Sequence, residues 1–206
     1  MTEHYYSEKQ ESPLKIKKIT AFLLGNELTL ETASGVFSVG EVDKGTKLLI
    51  EKSEIKEKDR ILDMGCGYGV VGIALAKKYP KTEIAFTDIN KRAVMITKKN
   101  IKSNKIKNKT KLFQGHLYDP LVESDNNYLN YFNTILTNPP QHAGKDICFK
   151  IIEESPEFLM HKGTLQLVAR HNKGGETLSK KMKEVFGNVK DIAKSGGFRV
   201  YLSEKE

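Results

Sequence analysis

The sequence predicts an α/β fold, a mostly parallel sheet covered by helices on both faces, and three observations carry that prediction. From residue 60 onward, short apolar runs alternate with segments whose apolar positions recur at helical spacing. The first of these runs, Ile61-Leu62, ends on Asp63 and passes through Gly65, Gly67 and Gly69 into the apolar segment Val70-Val71-Gly72-Ile73-Ala74-Leu75-Ala76. That is a buried strand turning tightly into a helix, with glycines where the chain must take positive φ or stay clear of a ligand. The last two runs are separated only by a turn at Gly196-Gly197, too little chain for a crossover, so they pair antiparallel.

Taken in order, residues 1–12 are polar and expected to fray at their start. Residues 14–24 and 27–32 alternate as strands, with Gly25-Asn26 as a two-residue hairpin turn. Ser34 to Ser38 form a loop, and Asp43 caps a helix reaching Ser53. Strand 60–63 feeds helix 70–78; strand 83–88 feeds a helix from Lys91 to Ser103 capped by Asn90. Strand 110–114 opens into an unusually polar loop that runs to Asn130 and is expected to be mobile. Strand 132–137 ends on Asn138-Pro139-Pro140 and is followed by a helix over 145–160. Strand 164–169, a helix over 175–186 and strands at 188–194 and 197–202 complete the chain. This divides it into an N-terminal extension with a β-hairpin, 1–40, and a ligand-binding domain, 41–206, with a seven-stranded core and no internal repeat.

A length of 206 residues suits one sizeable core. No apolar run approaches the roughly 20 residues that span a bilayer, and the N-terminus lacks the apolar centre of a signal peptide, so the expected location is cytoplasmic, without a membrane partner. Cys66 and Cys148 have no CxxC partner, which argues against both a zinc site and a disulfide framework; no metal is expected. The net charge is +8, and Lys91 to Lys111 holds nine basic residues and no acid. A polyanion such as RNA would account for that run, as would an ordinary solvated face with lysines late in a helix.

Two frames fit the glycine turn. Gly67-Tyr68-Gly69-Val70-Val71-Gly72 is a literal G-x-G-x-x-G, with Asp88 placed 21 residues past its first glycine, the spacing of a nicotinamide-dinucleotide site. The alternative frame is Asp63-x-Gly65-x-Gly67-x-Gly69. Charge favours the second: a carboxylate at the strand end would repel a pyrophosphate, whereas it attracts the sulfonium and ammonium of S-adenosylmethionine. Asp88 suits either ligand, since both present ribose hydroxyls to an acceptor at the second strand end.

Asn138-Pro139-Pro140 stands at the C-terminal end of the fourth core strand, where ligands bind in such sheets. An exocyclic NH₂ on a base is a poor nucleophile because its lone pair is delocalised into the ring. The Asn138 side-chain carbonyl and the Pro139 main-chain carbonyl can accept its two hydrogens, drawing the nitrogen toward a pyramidal geometry. Pro140 lacks an N–H and so offers no competing donor. Catalysis of this kind is positioning and hydrogen bonding.

With these residues in place the chain resembles the class I S-adenosylmethionine-dependent methyltransferases of the small-domain family, and within it short single-domain archaeal-type ribosomal RNA (guanine-N2) methyltransferases. The resemblance runs from Ser34 to the C-terminus: Ser34-Gly35-Val36-Phe37-Ser38, Asp43-Lys44-Gly45-Thr46, Asp63 to Gly69, Asp88, Asn138-Pro139-Pro140 with His142 and Gly144, and Gly196 to Tyr201. It implies a Rossmann-like methyltransferase sheet and S-adenosyl-L-methionine as cofactor. Asp63, Gly65 and Gly67 would line its methionine end, with Cys66 and Leu117 as further cofactor-binding positions. Asp88 would take the ribose hydroxyls and Ile89 would pack on adenine, with His116 beside the adenine amino group. Asn138 would face both cofactor and target amine, and Phe37 and Thr46 would wall the site. Two positions depart from the family pattern. Gln141 stands where a base-stacking residue is usual, and His116 where an acid or amide usually meets the adenine amino group.

The resemblance implies methyl transfer to guanine N2 in ribosomal RNA or a small-subunit particle, with N6 of adenine or a protein glutamine amide as rivals of the same chemistry. A nicotinamide-dependent oxidoreductase and a non-catalytic RNA-binding module are rivals of other classes. RNA contacts are expected from the hairpin, the basic 91–111 stretch and the loop Arg170-His171-Asn172-Lys173-Gly174-Gly175.

Overall fold

A computed structural model describes residues 8, 12–140 and 144–206; Gln141 and His142 therefore lie outside the described residues, as does most of the N-terminal dozen. The chain begins with a hairpin of β1 (Ile16–Leu23) and β2 (Asn26–Ala33). Leu23 pairs with Asn26, so the turn is Leu24-Gly25, one residue earlier than the Gly25-Asn26 the sequence suggests. Both turn residues take positive φ, 52° and 80°, as a type I′ turn requires. Asn26 still helps from the flank, its side-chain N–H donating to the Leu24 carbonyl at 3.1 Å. The register wins over the turn preference because it puts Leu23, Leu28 and Leu30 together on the buried face, and a one-residue slip would turn them outward.

The seven-stranded sheet has the order β5-β4-β3-β6-β7-β9-β8. Its strands are β3 (Arg60–Met64), β4 (Glu83–Asp88), β5 (Thr110–Gln114), β6 (Phe132–Thr137), β7 (Leu159–Arg170), β8 (Lys190–Ser195) and β9 (Phe198–Glu204). β3, β4, β5, β6 and β7 run parallel, and β9 is inserted antiparallel between β7 and β8. Successive residues alternate between two apolar layers. Ile61, Ile84, Phe86, Leu136 and Val168 face α1 (Lys44–Lys52), α2 (Val70–Lys78) and α3 (Lys91–Ser103), and the hairpin packs into this same layer. Leu62, Ala85, Ile135, Leu165 and Leu167 face α5 (Lys145–Phe158) and α6 (Gly175–Phe186). Strands buried on both faces are what a parallel sheet demands.

Two buried asparagines of α3 and its C-terminal cap fasten the hairpin. Asn100 accepts from the Glu31 N–H at 2.7 Å and donates to the Glu31 carbonyl at 2.9 Å. Asn104 does the same for Thr29, at 3.1 and 2.8 Å. Their side-chain amides thus stand in for a third strand along the edge of β2, which would otherwise leave its backbone groups unpaired.

The expected mobile loop after β5 is instead anchored. It contains a short helix, α4 (Asp119–Val122), and two buried tyrosines. Tyr118 stacks on Phe158 with ring centroids 4.5 Å apart and donates its hydroxyl to the Ile151 carbonyl at 2.9 Å. The polar residues between hid these two apolar anchors. β7 is also longer than residues 164–169, because α5 ends at Phe158 and the chain enters the sheet at once, Leu159 pairing with Phe132. Among the described residues no helix is long and apolar enough to cross a membrane.

Candidate active site

The strand order reverses between β3's two neighbours, β4 and β6, which opens a crevice at the C-terminal ends of the strands. A cleft enclosing about 1070 Å³ of empty space, its open mouth included, lies there. Asp63, Gly65, Cys66, Gly67, Asp88, Ile89, His116, Leu117 and Asn138 all line it, with Phe37 and Thr46. Pro139 is buried and is not part of the lining, whereas Pro140 is.

The glycines divide into two kinds. A Cβ on Gly65 or Gly67 would meet nothing within 4 Å, and both take positive φ, so these two keep the cleft floor bare. A Cβ on Gly69 would come within 2.7 Å of Thr97, and one on Gly72 would overlap the Phe86 ring. Those two glycines let α2 pack against α3 and the sheet. In the dinucleotide frame Gly69 is the glycine that brings backbone to the pyrophosphate; here its space is filled by protein. The geometry therefore fits the frame that begins at Asp63.

Asp63, near the end of β3, accepts from the Gly72 N–H at 2.9 Å and so caps the first turn of α2 from a distance. Burial pushes its carboxyl up to about 7, against the Gly72 bond and with a further push from Asp88. Asp88, at the end of β4, accepts from Gly67 N–H and from Asn90 N–H, each at 2.8 Å, which fixes both oxygens and shapes the glycine turn. Its carboxyl is raised to about 6, again by burial first. Asn90 caps α3 through Arg92 and Ala93 N–H groups and donates to the Gly35 carbonyl at 2.7 Å, tying the Val36-Phe37 segment to the cleft edge. Burial holds the Cys66 thiol well above its ordinary value, so it is no nucleophile at neutral pH. His116 lies 3.6 Å from the Asp119 carboxylate, on the rim.

Asn138 is held by a pair of groups whose link to it the sequence does not reveal. Its amide nitrogen donates to Asp43 Oδ2 at 3.0 Å and to Thr46 Oγ1 at 2.9 Å. Asp43 caps α1, its Oδ2 accepting also from Thr46 N at 2.8 Å and Thr46 Oγ1 at 3.0 Å. A carboxylate only accepts, so the amide must present its NH₂ to Asp43, and both N–H groups are then spent. Asn138 Oδ1 accepts no hydrogen bond among the described residues, in a side chain that lines the cleft. Asp43 is recognisable from sequence as a helix cap; that the same oxygen orients a side chain 95 residues away is not.

The methyltransferase small domain family matches residues 27–202. Over its full length the chain is 38% identical to the uncharacterized protein YbxB of Bacillus subtilis, which it covers completely. It is 33% identical to the ribosomal RNA small subunit methyltransferase C of Psychromonas ingrahamii over 90% of this chain and 51% of that protein. The chain thus spans about half the length of the small-subunit methyltransferases it matches. Among solved structures, the T. thermophilus 16S rRNA N2-guanine methyltransferase RsmC, in complex with AdoMet and guanosine, superposes with a TM-score of 0.77 at 23% identity over 96% of this chain and 53% of that one. A methyltransferase from Pyrococcus furiosus superposes with a TM-score of 0.66 at 20% identity, over 84% of this chain and 90% of that one.

Proposed function

The chain belongs to the methyltransferase small-domain family and is an S-adenosylmethionine-dependent methyltransferase, and from that premise we propose that it methylates the exocyclic amine of a nucleobase, guanine N2 in ribosomal RNA. Support for the acceptor comes from relatives whose names specify small-subunit ribosomal RNA. The observation that carries the catalytic reading is Asn138, whose amide is pinned by Asp43 and Thr46 with its carbonyl left over.

The residues present fit the cofactor. Gly65 and Gly67 leave open floor, and the buried Asp63 and half-buried Asp88 carboxylates line the same cleft, where a cationic ligand gains from them. When bound, S-adenosylmethionine supplies an electrophilic methyl group on a sulfonium. Asp88 would accept from the ribose hydroxyls with oxygens already fixed by Gly67 and Asn90. Asp63 would contribute negative charge to the floor beneath the methionine end. Ile89 and Leu117 would enclose the adenine.

At the acceptor, Asn138 Oδ1 takes one hydrogen of the target NH₂; Pro139, whose ring is buried and outside the cleft lining, would take the other only through its main-chain carbonyl. Pinning matters because a free amide could rotate and present N–H groups to the amine, which would repel it. Accepting from the nitrogen as it pyramidalises stabilises the transition state more than the bound base. The test is methylation of deproteinised ribosomal RNA and of small subunits with labelled cofactor, followed by nucleoside analysis. N2-methylguanosine is the expected product. Label found in N6-methyladenosine or in protein would overturn the acceptor assignment.

A further inference from the structure

Arg170 closes β7 at the same rim as Asn138, since β6 and β7 run parallel with Thr137 opposite Leu167. It pairs with Phe198 in the β7–β9 ladder, and its guanidinium lies over the Phe198 ring, 4.6 Å from the centroid. Phe198 in turn rests on Gly45, where a Cβ would come within 2.7 Å of the ring. Gly45 adjoins Thr46, which receives the Asn138 amide. A short chain of neighbouring groups therefore joins the proposed acceptor amide to an exposed guanidinium.

The other arginines are occupied. Arg199 is tied to Asp191 at 2.6 Å, Arg92 donates to the Ser34 carbonyl at 2.6 Å, and Arg60 donates to the Met160 sulfur and covers Tyr131. Among the described residues, Arg170 has no ion pair and no side-chain hydrogen bond, so all five of its donors are open to a ligand. Its support is rigid as well. His171 N–H donates to the Gly197 carbonyl at 3.0 Å, and its Nδ1 meets the Tyr201 hydroxyl at 2.8 Å, which holds the turn after β7 in place. A guanidinium laid on an aromatic ring loses little further freedom when it engages an anion, and its fork matches two phosphate oxygens.

We infer that Arg170, seated on Phe198, binds a backbone phosphate of the RNA strand that carries the target nucleotide. The inference rests on the RNA reading above. A base presented to Asn138 must leave its stack, and its strand then needs an anchor that carries no sequence information. An arginine one lip away from the acceptor amide supplies it.

The test is fluorescence anisotropy of the full chain with a labelled single-stranded RNA oligonucleotide, saturated with S-adenosylhomocysteine, at several salt concentrations. Arg170→Gln is expected to weaken RNA binding about tenfold and to reduce the slope of log affinity against log salt by about 0.7, the value for one phosphate fewer neutralised on a single strand. Arg170→Lys is expected to restore most of the slope but less of the affinity, because a point charge replaces a fork. Calorimetry with S-adenosylhomocysteine and the thermal midpoint are expected to match wild type for both variants, which separates a missing RNA anchor from a damaged fold. Wild-type affinity and slope in Arg170→Gln would overturn the inference. Failure of the wild-type chain to bind RNA would overturn it together with the RNA reading. RNA binding that depends on Arg170, with label transferred only to protein, would sustain this site and overturn the acceptor assignment.

Discussion

The two walls of the cleft are built in opposite ways. The proposed cofactor wall is local: Asp63, Gly65 and Gly67 follow one another on a single turn, and Asp88 comes from the adjacent strand and fastens that turn through Gly67. The acceptor wall is assembled from distant pieces, with Asn138 at the end of β6 aimed by Asp43 at the start of α1. In the proposed function the first wall works by attraction, through the Asp63 and Asp88 carboxylates, and the second by direction, through an Asn138 amide whose nitrogen is held by Asp43 and Thr46. Substitutions on the first should move affinity, and substitutions on the second should move turnover.

The largest effect is expected at Asn138. Asn138→Ala should lower single-turnover methylation by about 100-fold or more, the scale on which losing one aimed hydrogen-bonding group acts on a transition state. Affinity for S-adenosylhomocysteine should hold within a few-fold. Methylation at the wild-type rate would reduce Asn138-Pro139-Pro140 to a turn. Next comes Asp88→Ala, which removes charged acceptors for two hydroxyls. Its cost should be about 1.5–3 kcal/mol per bond at most in calorimetry with S-adenosylhomocysteine, and unchanged affinity would break the assignment of that wall.

Asp43→Ser is the sharper probe of direction. Serine still caps α1, but its short side chain cannot hold the Asn138 amide in the same way. Turnover should fall about tenfold while cofactor affinity and thermal midpoint stay near wild type. A fall in both affinity and midpoint would mean that Asp43 serves the helix alone.

The smallest expected effect, and one of opposite sign, is at Asp63. Its carboxyl is raised to about 7, so the folded chain binds a proton more readily than the unfolded one between the ordinary carboxylate range and pH 7. Stability of the ligand-free protein should therefore fall as pH rises through that window. Asp63→Asn keeps an acceptor for Gly72 and removes the buried charge. It should raise the ligand-free midpoint at pH 8, by about 2–4 °C for each kcal/mol recovered, while weakening binding of the cationic cofactor. Differential scanning calorimetry at pH 6 and pH 8 checks the sign, and a wild-type midpoint that rises with pH across this range would contradict it.

The contrast between the walls also explains how much was legible in the residues. Strand 83–88, helix 70–78 and the helix from Lys91 to Ser103 could be read to the residue, because each has an apolar period and its own boundary marker, such as Asn90. The residues expected to hold the cofactor stand within a few positions of one turn, and the fold gathers them, with Asp88, into the lining of one cleft. Asp43 was readable as a cap, yet its bond to Asn138 depends on where α1 docks against the sheet, and no local pattern carries that. The hairpin turn was misplaced by one residue because the burial of Leu23, Leu28 and Leu30 outweighed the preference of Gly25-Asn26. The anchoring of the loop after β5 is not legible because Tyr118 and Tyr128 flank a polar run, 123–127, without helical or strand periodicity, and their ring partners, Phe158 for Tyr118 and Phe113 and Phe132 for Tyr128, come from other elements.

The asparagine pair that grips β2 has a kinetic corollary. The amide protons of Thr29 and Glu31 are held by side chains of α3 and its cap, so they can exchange with solvent only when α3 leaves the hairpin or β2 itself melts. Deuterium uptake at these two positions is thus a clock for helix undocking, readable against the slower or faster clock of the β1–β2 ladder beside it. Because α3 starts beside Asn90, two residues from Asp88, that clock can be read with and without cofactor to learn whether filling the cleft tightens a hairpin at the far end of the helix.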